Sequence, residues 1–528
     1  MLGMHHSHQF DEAVELVKSH ANILQSYYFG SILMRAGVFV FAIFVLSTME
    51  ISVAQQEGSQ TTWPQFRGPK GAAIAKDQEI PFEFTDGENT LWKIPVPLGS
   101  SSPIVWDKRI FLTGHDDRNV MVLCYDRATG GELWRKTKPS AFAEDYLHED
   151  CSPAAATSCT DGQRVISFFG TFGLIAHDFS GNELWQHRIQ NRSASFGSAS
   201  SPILYGNRVF FLRDTAEYSA LLCLDAQTGE EVWKAERNAF TDSFSTPFIW
   251  EFGESSEVVV AGSGALDSYD CSTGRKKWTV TGLPAFICPS PVAKGDRLVF
   301  GAWTTAHVAG AERTRAGFGT DLKLTNEEST NASAFIKRFD KDGSNTVTQD
   351  ELPESRSRDA FLFLDHDKSG SWDESEIQSF FDKEAAPGRN ILVAVRGGGS
   401  GDVTQTHVLW ESGKNLPYVA SPLIHKDRVY CLKKGGLLTS WELSTGKMDR
   451  PMRLGIGGEF YATPVAIGEI LLIAAERGAV IIVSVADKHP EIVAENDFDE
   501  SIFATPAVVD NKIYLRTAAN LYAFGNEK

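Results

Sequence analysis

Short apolar runs separated by polar turns dominate the chain from Leu91 to its end. Runs such as 109–113 and 208–212 have strand length and strand composition, and the alternation of apolar residues around each turn reads as β-hairpins. The pattern repeats. A Ser/Thr-Pro pair followed by apolar residues recurs at Pro103, Pro153, Pro202, Pro247, Pro291, Pro422, Pro464 and Pro506, with spacings of 50, 49, 45, 44, 131, 42 and 42. Seven intervals make eight units, and the long interval marks an insertion of about 85 residues.

A second mark lies in the same units. An apolar strand ends in an acidic residue, a Thr/Ser-Gly turn follows, and Trp stands four residues after the Gly. It occurs at 124–134, 176–185, 223–233 and 268–278. Glycine supplies the positive φ of the turn. Each unit therefore holds four short strands in about 45 residues, the size of a propeller blade. The expected fold is all-β: an eight-bladed propeller of four-stranded antiparallel blades. The last unit ends with its third strand, 521–524, while an orphan Trp strand, 91–93, precedes the first Ser-Pro. If the two share one blade, the ends of the chain lock the ring and cover exposed strand edges. The later units drift: Arg450 stands where a Trp is expected, and 464–497 has neither turn nor Trp.

These residues resemble the PQQ-like β-propeller repeat family, over roughly 91–303 and 391–528. Residues 63–69, Trp-Pro-Gln-Phe-Arg-Gly-Pro, look like a lead-in found in its secreted members. The resemblance implies either a quinoprotein dehydrogenase with PQQ in the channel or a non-catalytic scaffold, and fold alone does not choose. Family members that hold the quinone carry an adjacent Cys-Cys pair, which this chain lacks. The repeated Trp residues read as packing between blades rather than as ligands.

The insertion, 304–390, breaks the blade pattern and carries the sharpest chemistry. Its segment 326–384 holds 15 acidic against 7 basic residues, a balance of −8 in a chain of net charge −18. Two twelve-residue stretches, 340–351 and 365–376, fit EF-hand calcium loops, which place oxygen ligands at positions 1, 3, 5, 7, 9 and 12. The first offers Asp340, Asp342, Ser344, the Thr346 carbonyl, Thr348 through a water, and a bidentate Glu351. The second offers Asp365, Asp367, Ser369, the Ser371 carbonyl, Asp373 and Glu376. Calcium wants six to eight oxygens, and this spacing supplies them from one short loop. Position 6 must turn sharply, which Gly370 and Asn345 both allow. Val347 suits the apolar position 8 that pairs two such loops; Trp372 is unusual there. Apolar residues at helical spacing flank both loops, and a short connecting helix is expected from Pro353. Two Ca²⁺ sites are expected.

The remaining features bound the setting. Residues 34–54 read as an export signal: Arg35, an eleven-residue apolar run at 36–46, and a small-x-small end at 52–54. An uncleaved anchor is the alternative, and it would be the only membrane contact. Translation is expected to start at Met34, so His5, His6 and His8 receive no metal role. The expected organisation is 1–54 upstream segment and signal, 55–90 lead-in, 91–303 and 391–528 propeller, and 304–390 insertion, in a periplasmic or extracellular, monomeric protein. The acidic charge argues against nucleic-acid partners. Seven cysteines exclude a disulfide-dense scaffold; Cys151 and Cys159 can bridge in an oxidising compartment, and Cys124 and Cys223 read as core. Gly397 to Gly401 lacks the context of a phosphate loop and reads as a turn. No nucleophile elbow or Ser/His/Asp set occurs. The chemistry favours a calcium-binding scaffold with an unidentified protein or extracellular ligand on a propeller face. A PQQ-type oxidoreductase, or a hydrolase at the propeller mouth, is the alternative.

Overall fold

The computed structural model describes residues 61–526, apart from 77, 140–151, 190–198, 216–217, 238–241, 305–321, 356–357, 359–360, 362–364, 366–368 and 385–387. The signal segment, His5, His6, His8, Cys151, Asp367 and most of the expected connecting helix lie outside the described residues. Among those described, no helix is long and apolar enough to cross a membrane.

Eight blades follow one another along the chain, each with four antiparallel strands at its core, in sequence order in all but the last. In blade three they are Ile203–Tyr205, Arg208–Asp214, Ser219–Asp225 and Glu231–Glu236. The eighth blade is completed by the beginning of the chain. Thr90–Pro95 pairs with Asn520–Gly525, placing Trp92 opposite Ala523 and Ile94 opposite Leu521. The closure read from the orphan Trp strand is therefore present.

Two kinds of contact join neighbouring blades. The first is a closed circle of hydroxyl groups at the entry to the first strands. The backbone N–H of Ser102 donates to Thr157 Oγ1, Thr157 to Ser201, Ser201 to Thr246, Thr246 to Ser290, Ser290 to Ser421, Ser421 to Thr463, Thr463 to Thr505, and Thr505 back to Ser102, at 2.9–3.3 Å. All eight residues are buried. This corrects the repeat reading in blade two: the ring member is Thr157, not Ser152. The Ser152-Pro153 pair sits in the preceding crossover, where the Ser152 hydroxyl accepts from Ala154 N. A Ser-Pro pair is a common turn element; what the ring selects is a hydroxyl two residues before the first strand, and Thr157 supplies it without a proline.

The second contact links the acid-Gly-Trp marks. In five of the joints the indole N–H of a fourth-strand Trp donates to the carbonyl just after the turn acid of the next blade. Trp92 reaches Arg127, Trp134 reaches Phe179, Trp185 reaches Ala226, Trp233 reaches Cys271 and Trp410 reaches Leu443, at 2.9–3.1 Å. Each ring also lies over the turn glycine of that next blade (Gly130, Gly181, Gly229, Gly274, Gly446), where a Cβ would fall 2.5–2.9 Å from it.

Where the mark is missing, the fold compensates. Blade five has no acid-Thr-Gly turn to receive Trp278, so this indole donates to the fully buried Glu257 in its own blade at 2.8 Å. Gly401–Asp402 then adds a fifth, parallel strand beside Trp278 and Thr279, so the Gly-rich segment read as a turn also extends blade four. Blade seven has no Trp, and Phe84 of the lead-in packs there instead, 4.8 Å from the Phe524 ring.

The lead-in touches every blade. Thr62–Trp63 pairs with blade one, Pro64 accepts from Thr160 of blade two, and Gln65 accepts from Leu204 of blade three. Lys70 pairs with Glu251 of blade four, and Arg67 donates to Pro291 and Pro422 of blades five and six. Ile74–Ala75 pairs with blade seven, and Glu79 N donates to Asn511 of blade eight. Arg67 is 1% exposed with carbonyl partners, and burial pushes its guanidinium down to about 9.

Candidate metal centre

The insertion leaves blade five after its second strand, Arg297–Ala302, and returns at its third, Ile391–Arg396, with Ala302 opposite Ile391. Its ends are clamped by two bonds: Thr304 N donates to Asn390 Oδ1 at 2.8 Å, and Asn390 Nδ2 donates back to Thr304 O at 3.0 Å. Second-to-third-strand connections emerge where first strands begin, so the insertion stands on the same face as the blade-to-blade crossovers.

Two helices frame the loops. Ala332–Phe339 starts at Asn331, whose side chain accepts from Ala334 N, and it buries Ala332, Phe335, Ile336 and Phe339 on one face. Glu374–Glu384 starts behind Asp373, whose Oδ1 accepts from Glu376 N at 2.8 Å. Ile377 and Phe381 of the second helix join the first helix's apolar face in a core that includes Val347, Leu352, Phe361 and Trp372. This core is separate from those of the blades.

The loops pair at their eighth positions: Val347 lies opposite Trp372, and Thr348 opposite Ser371. Both position-8 side chains are fully buried. Trp372 stacks on Phe361 at 4.7 Å and donates its indole N–H to the Phe361 carbonyl, so the bulky residue closes the lobe core. Position 6 takes the left-handed conformation in both loops, φ 60° at Asn345 and 84° at Gly370.

The carboxylates converge. Ligand oxygens of Asp340, Asp342 and Glu351 all lie within 4.8 Å of one another. The nearby ion pairs, Arg338–Glu328 and Arg358–Asp350, leave these three out. Backbone amides orient them instead. Asp340 accepts from Gly343 and Ser344 on Oδ1 and from Asn345 on Oδ2, at 2.8–3.2 Å. Glu351 accepts from Lys341 N and Thr348 N, both at 2.7 Å. Desolvation raises both carboxyls, but these amides outweigh it, so each sits below its ordinary range and stays anionic.

The second loop repeats the arrangement. Asp365 accepts from Ser369 N on Oδ1 and Gly370 N on Oδ2, and Glu376 accepts from Asp373 N at 3.1 Å. Asp365 and Glu376 are 5% and 7% exposed. Two expected ligands of this loop bond to each other here: Ser369 Oγ donates to the Ser371 carbonyl at 2.9 Å. In the first loop, Ser344 Oγ lies 3.1 Å from Thr346 Oγ1. Thr348 caps the short turn 349–351 through its bonds with Glu351, the role Asp373 has in the second loop. Position 9 is thus a cap in both loops, which ligand spacing alone does not show. The carboxylate oxygens of Asp340, Asp342 and Glu351, which make no ion pair among the described residues, are a donor set suited to a hard divalent ion.

Cys124 and Cys223 are buried in equivalent strands, and Cys159 is a buried free thiol.

A family model described as outer membrane protein assembly factor BamB matches residues 49–315. No curated protein matches the chain. Among solved structures, the chain is similar to BamB from Moraxella catarrhalis at 12% identity and TM-score 0.49, covering 83% of this chain and 99% of that one. It is also similar to the quinohemoprotein alcohol dehydrogenase ADHIIG from Pseudomonas putida HK5, at 12% identity and TM-score 0.51, covering 89% of this chain and 81% of that one. At such identity the likeness is one of fold.

Proposed function

The chain belongs to the PQQ-like β-propeller repeat family, and we propose that within it this protein is an exported calcium-binding scaffold. Calcium orders the inserted lobe, and the ring holds that lobe over the face where the crossovers lie, as a surface for a protein or another extracellular ligand. The observation that carries the reading is the convergence of Asp340, Asp342 and Glu351 beside a loop pair joined at its eighth positions. Asp340, Asp342, Glu351, Asp365 and Glu376 would hold the ions, with Asp367 completing the second set. The ion would supply charge neutralisation and a fixed loop geometry. The amides of Lys341, Asn345, Thr348 and Gly370 already aim the carboxylates, which lowers the ordering cost of binding.

Calorimetric titration of the mature protein with Ca²⁺ tests this. Two sites are expected, in the roughly 10⁻⁴–10⁻³ M range of extracellular modules. Glu351→Gln with Glu376→Gln should abolish measurable heat. Unchanged binding in that double variant would remove these loops as the metal centre.

A further inference from the structure

A cavity of about 440 Å³ opens between blades one and two. The buried Val120, Val122, Phe169 and Ile175 line it on one side, and a more polar wall carries Arg135, Lys136, Lys138, His177 and Glu183. The same register positions recur between blades three and four, where the space is filled. Counting from the docked Trp of each blade, Lys138 corresponds to Arg237, Ile175 to Asp267 and His177 to Tyr269. Arg237 is completely buried, donating to Asp267 Oδ2 at 2.9 Å, to Tyr269 Oη at 2.8 Å and to Asp214 at 3.1 Å. The position of Asp214 is taken by His115 in blade one.

Both carboxylates of the filled interface are thus missing from the open one. Lys138 finds a replacement in Glu183 at 2.8 Å. Lys136 makes no ion pair among the described residues. His177 is 2% exposed, and its Nδ1 has no hydrogen-bond partner among the described residues. Desolvation pushes its imidazolium down to about 4, so the ring is neutral and offers one N–H donor at neutral pH.

We propose that this cavity binds a small monocarboxylic acid with an apolar body, its carboxylate bringing the negative charge that Asp214 and Asp267 bring between blades three and four. The headgroup meets Lys136 and the buried His177, and the apolar body lies on Val120, Val122, Phe169 and Ile175. The volume falls within the range of small-molecule sites. With Arg135 paired to Glu132 and Lys138 to Glu183, Lys136 is the one lining cation without an ion pair among the described residues, which matches a monoanion, and the apolar side chains favour an aliphatic or aromatic tail over a bare inorganic anion.

The test is calorimetric titration of the mature protein with hexanoate, hexanol and inorganic phosphate. Hexanoate should bind at least tenfold more tightly than either comparator. Lys136→Met should weaken hexanoate at least tenfold and leave the circular dichroism spectrum unchanged. Ile175→Asp places an internal carboxylate in the cavity, as at the filled interface, and should abolish hexanoate binding while removing no cation. No hexanoate binding by the wild type, equal affinity for phosphate, or undiminished binding in Lys136→Met would each overturn the assignment. The lysine variant lies on a half-buried strand face and decides the matter should the aspartate variant not fold.

Discussion

The indole of Trp185 lies so close over Gly229 that a Cβ there would sit 2.5 Å from the ring. The same indole donates to the Ala226 carbonyl at 3.0 Å. Glycine at this turn therefore meets two demands at once, a φ of 73° and space for the Trp of the preceding blade. Gly229→Ala should cost about 1–3 kcal/mol through overpacking, and roughly 1–2 kcal/mol more for the left-handed backbone. Urea unfolding measures this against Gly206→Ala, also at positive φ but with nothing within 4 Å of its Cβ. Equal losses at the two positions would mean that backbone strain alone is felt and that the docking contact adds nothing.

The hydroxyl circle gives a second test. Thr246→Val keeps the shape of the side chain but removes the acceptor of Ser201 N, which sits in a buried ring. An amide left without its partner there should cost about 1–3 kcal/mol. An exposed control, Thr137→Val, should be near neutral. A Thr246→Val unfolding midpoint matching that of the control would show that the circle contributes no stability.

Much of the ring was legible because a blade's determinants recur. The acid, the glycine and the Trp repeat at one spacing, and the structure shows them to be the two sides of one inter-blade joint. Thr157 was missed because its neighbourhood carries a Ser-Pro decoy five residues upstream, and hydroxyl acceptance leaves no pattern of its own. The lead-in was read only as an introduction, since Pro64, Gln65, Arg67 and Lys70 each reach a different blade and no period connects them. Phe84 replaces a missing Trp from more than 400 residues away, which no local signal encodes. The convergence of Asp340, Asp342 and Glu351 was readable for the opposite reason: the three lie within twelve residues, so their spacing is geometry.

His177 makes the stability of the blade-one to blade-two joint depend on pH. Burial lowers its imidazolium to about 4; Lys136 and Lys138 act in the same direction, and Glu183 and Asp178 oppose it. An unfolded histidine titrates near 6.5. Between those values the unfolded chain holds a proton that the folded chain does not, so stability is full above about pH 6.5 and falls as pH drops toward about 4. The contribution is about 3 kcal/mol at most. Because carboxylates titrate in part of the same window, the quantity to read is the difference between wild type and His177→Gln across pH 4–7. That difference should narrow as pH falls; a constant offset would show that His177 does not titrate differently on folding.

The lobe and the ring should come apart thermodynamically. The lobe has its own apolar core, centred on Phe335, Val347 and Trp372. Its attachment runs through the Ala302–Ile391 rung and the Thr304–Asn390 clamp. The inter-blade joints pass through neither loop. On the calcium reading, an ion at a hundred times its dissociation constant stabilises the lobe by about 2.7 kcal/mol. Removing it leaves Asp340, Asp342 and Glu351 to repel one another within 4.8 Å. Chelation should therefore melt the helices Ala332–Phe339 and Glu374–Glu384 and open the insertion to protease, while the β-sheet signal and its melting temperature hold. Glu351→Gln with Glu376→Gln should reproduce the melted lobe in the presence of calcium. Loss of the β signal on chelation would mean that blade five needs the folded lobe to close the ring. Helices that persist equally in chelator and in calcium would mean that the apolar core around Trp372 orders the lobe without metal.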